Sequence, residues 1–119
     1  MLIIPAHVGR FQVNLLVDTG AAITALTPDA IRRLRLDLNQ FTGRRLMFTA
    51  AGTYVTVPTG RIDRLRLGAA DLRNVEVAIL DLPGRVNLDG LLGVNVLHRF
   101  RVTFEFRRAI LVLRPDAGQ

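Results

Sequence analysis

Three consecutive apolar residues, Leu15-Leu16-Val17, run without a break into a carboxylate, Asp18, followed by Thr19 and Gly20. Successive side chains of a strand point to opposite faces, so an unbroken apolar run reads as a strand end buried on both faces. An ionised carboxylate is costly at such a place unless hydrogen-bond donors stand close by. Thr19 supplies a hydroxyl, and Gly20 permits a tight turn with backbone N–H groups near the carboxylate. The expected result is an aspartate held in fixed orientation at the end of a rigid strand. Taken alone, Asp18-Thr19-Gly20 is also compatible with an ordinary turn in which Asp18 bonds its own backbone. Such turns usually lie exposed, however, and this one has apolar residues on both sides.

Around this feature the chain reads as short strands separated by turns. Strands over 2–8 and 11–17 flank Gly9-Arg10, and 22–26 resumes an extended apolar pattern. Thr27-Pro28-Asp29 is a helix start, with Thr27 as N-cap and Pro28 at the first helical position. Ala30, Ile31, Leu34 and Leu38 supply its buried stripe, while Arg32, Arg33 and Arg35 face water. Residues 37–43 form a loop. Strands over 44–49 and 54–67 make a long hairpin with the small tip Ala50-Ala51-Gly52-Thr53; Pro58 and Gly60 imply a kink or bulge in its second arm. A turn at 68–71, a strand over 72–80 and a loop over 81–89 follow. Gly90-Leu91-Leu92-Gly93 leads into a short helix over 94–99, and a last hairpin joins 100–106 to 109–113 through Arg107-Arg108. Many short strands at regular spacing predict a mainly β (all-β) fold, a small closed barrel with one or two short helices, in a single domain spanning 1–119. The strands over 2–8 and 109–113 are apolar enough to be liabilities as free edges.

Composition narrows the chemistry. The 119 residues include no cysteine and no serine, which excludes thiolate metal sites, cysteine nucleophiles and a Ser–His–Asp triad. Two histidines, His7 and His98, are too few for a histidine-based zinc site, and they read as structural or surface groups. Catalysis is left to carboxylates, hydroxyls and arginines; no metal and no cofactor is expected. All 16 basic residues are arginine, for a net charge of +6. They are spread along the chain, with one tyrosine, no tryptophan and no aromatic–basic alternation, so nucleic acid is not expected as a partner. The apolar start, Met1 to Pro5, is too short for a signal peptide or a membrane span, which predicts a cytoplasmic chain without membrane contact; the alternative is a domain excised from an anchored or periplasmic protein. Asp89 reads as a cap or turn residue. Asp63, Asp71 and Asp81 have no neighbours that suggest metal ligation. Tyr54 either covers a substrate or packs on its strand.

Gly90-Leu91-Leu92-Gly93 repeats the first feature in outline: apolar residues, glycine, then a helix. By itself it reads as a strand–helix junction packed through glycines. In combination, the segments resemble retropepsin-like aspartic proteases of the bacterial type. Leu16-Val17-Asp18-Thr19-Gly20-Ala21 resembles that family's active-site motif, and Gly90-Leu91-Leu92-Gly93, roughly seventy residues later, its second hydrophobic–hydrophobic–Gly motif. Phe48-Thr49-Ala50-Ala51-Gly52-Thr53-Tyr54 sits where the family places its flap, and the closing 100–113 hairpin also matches. The order and spacing of these parts are far more specific than the tripeptide.

The resemblance implies a homodimer, each chain supplying one Asp18 to a shared site, and an aspartic endopeptidase acting on a peptide or protein substrate. Two adjacent carboxylates share a proton and activate water without an acyl-enzyme. By the same analogy Thr19 braces the pair across the interface, and Gly20 contacts substrate backbone. Ala21, Ala22, Ala51, Gly52 at the flap tip, Thr53 and Leu92 fall at substrate-binding positions, with Ile23 a weaker candidate. The alternative is a catalytically inactive retropepsin-fold module for dimerisation or peptide binding. Three departures bear on this choice, one being that the flap lacks the family's usual glycine-rich tip and has only Gly52. Retroviral members usually carry an acidic residue where Ala22 stands and an arginine where Val94 stands. These are oppositely charged partners, and both are missing together, so no buried charge is stranded.

Overall fold

The computed structural model describes residues 2–49, 51–85 and 87–115. Ala50 of the expected hairpin tip, Val86 of the expected loop, Met1 and residues 116–119 lie outside the described residues. Nine strands are present among the described residues: β1 (Ile3–Val8), β2 (Phe11–Val17), β3 (Thr24–Leu26), β4 (Gly43–Phe48), β5 (Tyr54–Leu67), β6 (Ala70–Ile79), β7 (Gly90–Leu92), β8 (Phe100–Glu105) and β9 (Ile110–Pro115). Two short helices accompany them, α1 (Pro28–Arg33) and α2 (Val94–Leu97).

Six strands close a barrel in the order β1-β2-β7-β3-β6-β5, and a bridge from His7 to Arg66 joins β5 back to β1. The strand over 3–8 is therefore not a free edge, as its apolar character suggested; it pairs with β2 along its whole length and meets β5 at its end. Closure is what protects such strands from pairing with other chains. β4 pairs only with the first half of β5 and stands outside the ring, so these two arms form a hairpin projecting from the barrel. β8 and β9 form a separate two-stranded sheet.

The main core fills the barrel with Val13, Leu15, Leu26, Ile31, Leu65, Val75, Val77, Leu92 and Val96 among its buried members. A smaller cluster, with Ala21, Ile23, Ala25, Met47, Val57, Ala78 and Leu91 buried, lies beneath the β4–β5 hairpin. The predicted two-sided cover of β2 is visible here: Leu15 and Val17 pack on the main core, and Leu16 packs on the smaller one.

Helix α1 starts as its sequence dictates, with Thr27 Oγ1 accepting from the Ala30 N–H at 3.1 Å. Its end differs from expectation. Leu38 is 61% exposed, and Leu36 packs on the core in its place. The helix stops in a Schellman motif: Arg35 takes a φ of +56°, and the N–H groups of Leu36 and Arg35 donate to Ile31 O and Arg32 O. Beyond it Asp37 caps a short 3-10 turn, so helical spacing no longer places Leu38.

Pro58 and Gly60 do not break β5, whose register with β4 and then β6 is continuous. Gly60 is instead a packing requirement, since a Cβ there would lie 2.8 Å from Gln40 O and 2.9 Å from the Phe41 ring. The irregularity sits further along. Ile62 and Leu65 are both buried with two exposed residues between them, and Leu72 and Val75 repeat this on β6, where Asn74 has a φ of +54°. Each strand thus carries one extra residue, which shifts its inward face without shifting the register.

Candidate active site

Asp18 stands at the point where β2 leaves the barrel. Its N–H donates to Leu92 O at 3.0 Å, which extends the parallel β2–β7 ladder by one bond. The chain then turns: the Gly20 N–H donates to Asp18 Oδ1 at 2.9 Å, and the Ala21 N–H donates to Asp18 O at 3.2 Å. Asp18 Oδ2 has no donor among the described residues. One carboxylate oxygen is thus held by backbone, and the other takes no hydrogen bond from the described residues.

Among the described residues, six other carboxylates are differently employed. Asp29, Asp71, Glu76, Asp89 and Glu105 pair with arginines, and Asp37 caps a turn. Asp89, read as a cap or turn residue, is a clamp: its Oδ2 accepts from the Asn14 N–H at 2.8 Å, and its Oδ1 accepts from Arg33 at 3.0 Å. Among the described residues no group of three or more His, Cys, Asp or Glu side chains is placed to hold a metal ion.

The turn is held in place by the second glycine motif. β7 threads between β2, to which it is parallel, and β3, to which it is antiparallel. The space is so narrow that a Cβ on Gly90 would lie 2.0 Å from Ala25 O, and one on Gly93 2.5 Å from the Ile23 carbonyl carbon. Glycine is required at both places by close backbone approach. Past Gly93, the N–H groups of Val94 and Asn95 donate to Ala21 O and Ala22 O at 2.8 and 3.2 Å. The far limb of the Asp18 turn is therefore hung on the start of α2.

Two polar side chains in this arrangement, buried Thr24 and half-buried Asn95, carry no motif that marks them in the sequence. Asn95 Oδ1 accepts from both the N–H and the hydroxyl of Thr24, at 2.8 and 2.9 Å, and Asn95 Nδ2 donates to Glu76 O at 2.9 Å. The Gly93 N–H in turn donates to Thr24 Oγ1 at 3.0 Å. A single threonine inside the apolar run Ala22–Leu26 was the available signal, because a polar group buried in so short a strand needs a partner.

The remaining candidate residues fall into three places. Thr19, Gly20 and Ala22 are exposed on the turn, and Ala21 is buried beneath it. Ala51, Gly52 and Thr53 are exposed at the hairpin tip. There the Thr49 N–H donates to Thr53 O and the Gly52 N–H to Thr49 O, with Gly52 at a φ of +82° that favours glycine. Ile23 is buried in the smaller cluster. Leu92 has no exposed surface in this chain; its side chain packs in the main core and supports the ladder under Asp18.

The hairpin presents two unlike faces. Met47, Val55 and Val57 turn toward the smaller cluster, which begins at Ala21 immediately after the aspartate turn. Leu46, Phe48 and Tyr54 lie on the opposite face, 59–66% exposed, with the Phe48 and Tyr54 rings edge to face. Tyr54 therefore points away from the aspartate side. A bidentate Arg45–Glu76 pair ties the base of the hairpin to β6.

Thr19 also borders a groove of about 400 Å3 on the other side, lined by Val94, Leu97, His98, Phe100, Val102 and Phe104. Phe106 stands at 74% exposure with its ring stacked on Phe104.

A family model described as "gag-polyprotein putative aspartyl protease" matches residues 4–99. The chain belongs to the retropepsin-like aspartyl proteases. This family match spans the Asp18 turn, the β4–β5 hairpin and the Gly90–Gly93 motif together. A protein of Rickettsia prowazekii, RP867, is 32% identical over 111 residues; these are 92% of this chain and 45% of that protein, so the chain spans about half the length of this relative. Among solved structures, a retropepsin-like aspartic protease from Rickettsia conorii superposes with a TM-score of 0.63 at 24% identity, covering 87% of this chain and 75% of the other. The retroviral protease-like domain of Ddi1 from Leishmania major gives 0.62 at 20% identity, covering 95% and 87%. At such identities the likeness is one of fold. Among the described residues no helix is long and apolar enough to cross a membrane.

Proposed function

We propose that this retropepsin-like chain is an aspartic endopeptidase that works as a homodimer, with one Asp18 from each subunit in a shared site. The observation that carries the reading is the Asp18 carboxylate itself, anchored through Oδ1 and without a donor at Oδ2 among the described residues, at the end of a rigid ladder. One such group cannot act as base and acid in the same step. Two of them a few ångströms apart cannot both ionise readily and share one proton. The ionised partner takes a proton from a water lying between them as that water attacks the peptide carbonyl. The protonated partner hydrogen-bonds the carbonyl oxygen, and a proton then passes to the leaving amine. Gly20 lines the substrate backbone, with Ala22 beside it. The flap closes over the substrate through Ala51, Gly52 and Thr53.

The groove beside Thr19 supports a second copy as the missing half. Its apolar lining adjoins the aspartate turn. A two-fold axis there joins like surfaces and brings the two turns face to face.

Profiling cleavage of a peptide library by mass spectrometry tests the activity. Asp18→Asn is expected to fold and to lose activity by several orders of magnitude. Excess Asp18→Asn mixed with wild type is expected to suppress activity as heterodimers form, and activity should fall more steeply than linearly on dilution. A bell-shaped pH profile is expected, because one proton of the pair must be kept and one lost. An Asp18→Asn variant within tenfold of wild type would refute the assignment. A fully active monomer in the ultracentrifuge would refute the shared site. The fold without activity, and with peptide binding retained, would favour the inactive-module reading.

A further inference from the structure

The Asp18 turn is fastened at both ends to one short segment, residues 92–95. Asp18 N–H reaches Leu92 O, while Ala21 O and Ala22 O receive the N–H groups of Val94 and Asn95. Whatever fixes that segment fixes the height of the carboxylate above the barrel. β7 contributes only three paired residues on its β2 side and two on its β3 side. Leu92, Val96 and Leu97 set the segment on the main core, and its side-chain hydrogen bonding comes from Asn95, whose amide joins β3 through Thr24 and β6 through Glu76 O. Thr24 is 1% exposed, and its hydroxyl is committed twice, donating to Asn95 and accepting from Gly93.

We propose that Asn95 and Thr24 are positioning residues for the shared site: their bond sets the separation of the two Asp18 carboxylates and so the strength of their coupling. The inference rests on the reading of Asp18 as the acid–base pair. Coupling between two carboxylates falls with their separation. A loosened turn lets the pair drift apart, and the two apparent pKa values of the coupled titration then approach one another. Catalysis suffers in the same step, since misplacement by about 1 Å costs on the order of 100-fold in rate. A residue that merely stabilised the fold would lower the amount of active enzyme and leave both limbs of the pH profile in place.

The test compares wild type with Thr24→Val, Thr24→Ser and Asn95→Ala. kcat and KM are measured across pH above the dimer dissociation constant, per active site titrated with a statine-type inhibitor. In parallel, the Asp18 carboxyl carbon is titrated by NMR, a readout that does not need turnover. Thr24→Val keeps the shape of the side chain and removes the hydroxyl, which leaves the Gly93 N–H without its acceptor. It is expected to lower kcat on the order of 100-fold with KM within about twofold, to narrow the pH bell, and to draw the two Asp18 titration steps together. Thr24→Ser, which keeps the hydroxyl, is expected to restore wild-type limbs. Asn95→Ala is expected to match Thr24→Val where it folds. Activity lost only in proportion to titrated sites, with limbs and titration steps unmoved in Thr24→Val, would overturn the proposal while leaving the Asp18 reading intact. A wild-type dimer whose Asp18 groups titrate in one uncoupled step would overturn both.

Discussion

Gly90 and Gly93 are constrained by packing, and the constraint can be measured. At Gly90 a Cβ would lie 2.0 Å from Ala25 O, a backbone atom that cannot swing aside. Relief to an ordinary contact of about 3.4 Å requires β3 and β7 to part by more than 1 Å. Hydrogen bonds of ordinary length do not survive such a separation. The bonds at risk are those of the β3–β7 ladder, where Ala25 faces Leu91 and Leu26 faces Gly90. Two lost bonds at about 1 kcal/mol each, with at least about 1 kcal/mol of overpacking strain, give about 3 kcal/mol or more. For a domain of this size that is a fall of about 12 °C in Tm. Gly9→Ala is the matched control, because a Cβ there meets nothing within 4 Å and only its φ of +61° is unfavourable. It is expected to cost about 1 kcal/mol. Urea unfolding of Gly90→Ala, Gly9→Ala and wild type at one protein concentration decides the matter, with self-association held constant. A Gly90→Ala protein within about 0.5 kcal/mol of wild type would mean that β3 yields at this point, and the account of the Gly-Leu-Leu-Gly motif as a threading requirement would fail.

Gly20→Ala should behave in the opposite way. Its Cβ would lie 3.3 Å from Asp18 Oδ1, a side-chain atom that can give by a few tenths of an ångström. Thermal stability is expected to change little while peptidase activity falls; a large loss of Tm with full specific activity would contradict this. The Arg64 guanidinium beside Asp71 holds its carboxyl below the ordinary value of 3.8. The unfolded chain keeps the ordinary value, so on acidification the unfolded state takes up that proton first. The pair's contribution is therefore full above the ordinary value and is lost as pH falls through the depressed one. The stability difference between wild type and Asp71→Asn should be small, because the pair is exposed. It should be constant at neutral pH and vanish at strongly acidic pH. A difference that grew on acidification would contradict the sign.

Most of the barrel was legible because its signals are local. Val8-Gly9-Arg10-Phe11, Thr27-Pro28 and the 100–113 hairpin state their turns and caps directly, and the strands match within a few residues. What stayed hidden depends on partners distant in sequence. The bridge from His7 to Arg66 that closes the ring leaves no mark on either strand. Leu38 was misplaced because the positive φ that ends α1 falls on Arg35 rather than on a glycine or asparagine. The irregularity at Asp63 and Asn74 was sought at Pro58 and Gly60, the residues that usually announce one. At the site, Asp18-Thr19-Gly20 and Gly90–Gly93 were readable as motifs. Asn95 was not, since its meaning comes from Thr24, 71 positions away, and from a carbonyl on β6.

The two charge departures from the retroviral pattern make sense once the backbones are seen together. Ala22 and Val94 lie on segments joined directly, through Val94 N–H to Ala21 O and Asn95 N–H to Ala22 O. An acidic residue at one position and an arginine at the other would sit side by side there, and their loss as a pair leaves neither charge without its partner. Val94 joins Leu97, Phe100, Val102 and Phe104 in the apolar wall beside Thr19. Besides its backbone bonds the turn is fastened through Asn95, a neutral amide whose bonds are all to neutral groups. A neutral hydrogen-bonded hub holds the turn inside the subunit, and an apolar surface lies beside it. The geometry of the turn then owes little to ionic strength, and any association through that wall draws on apolar area rather than charge.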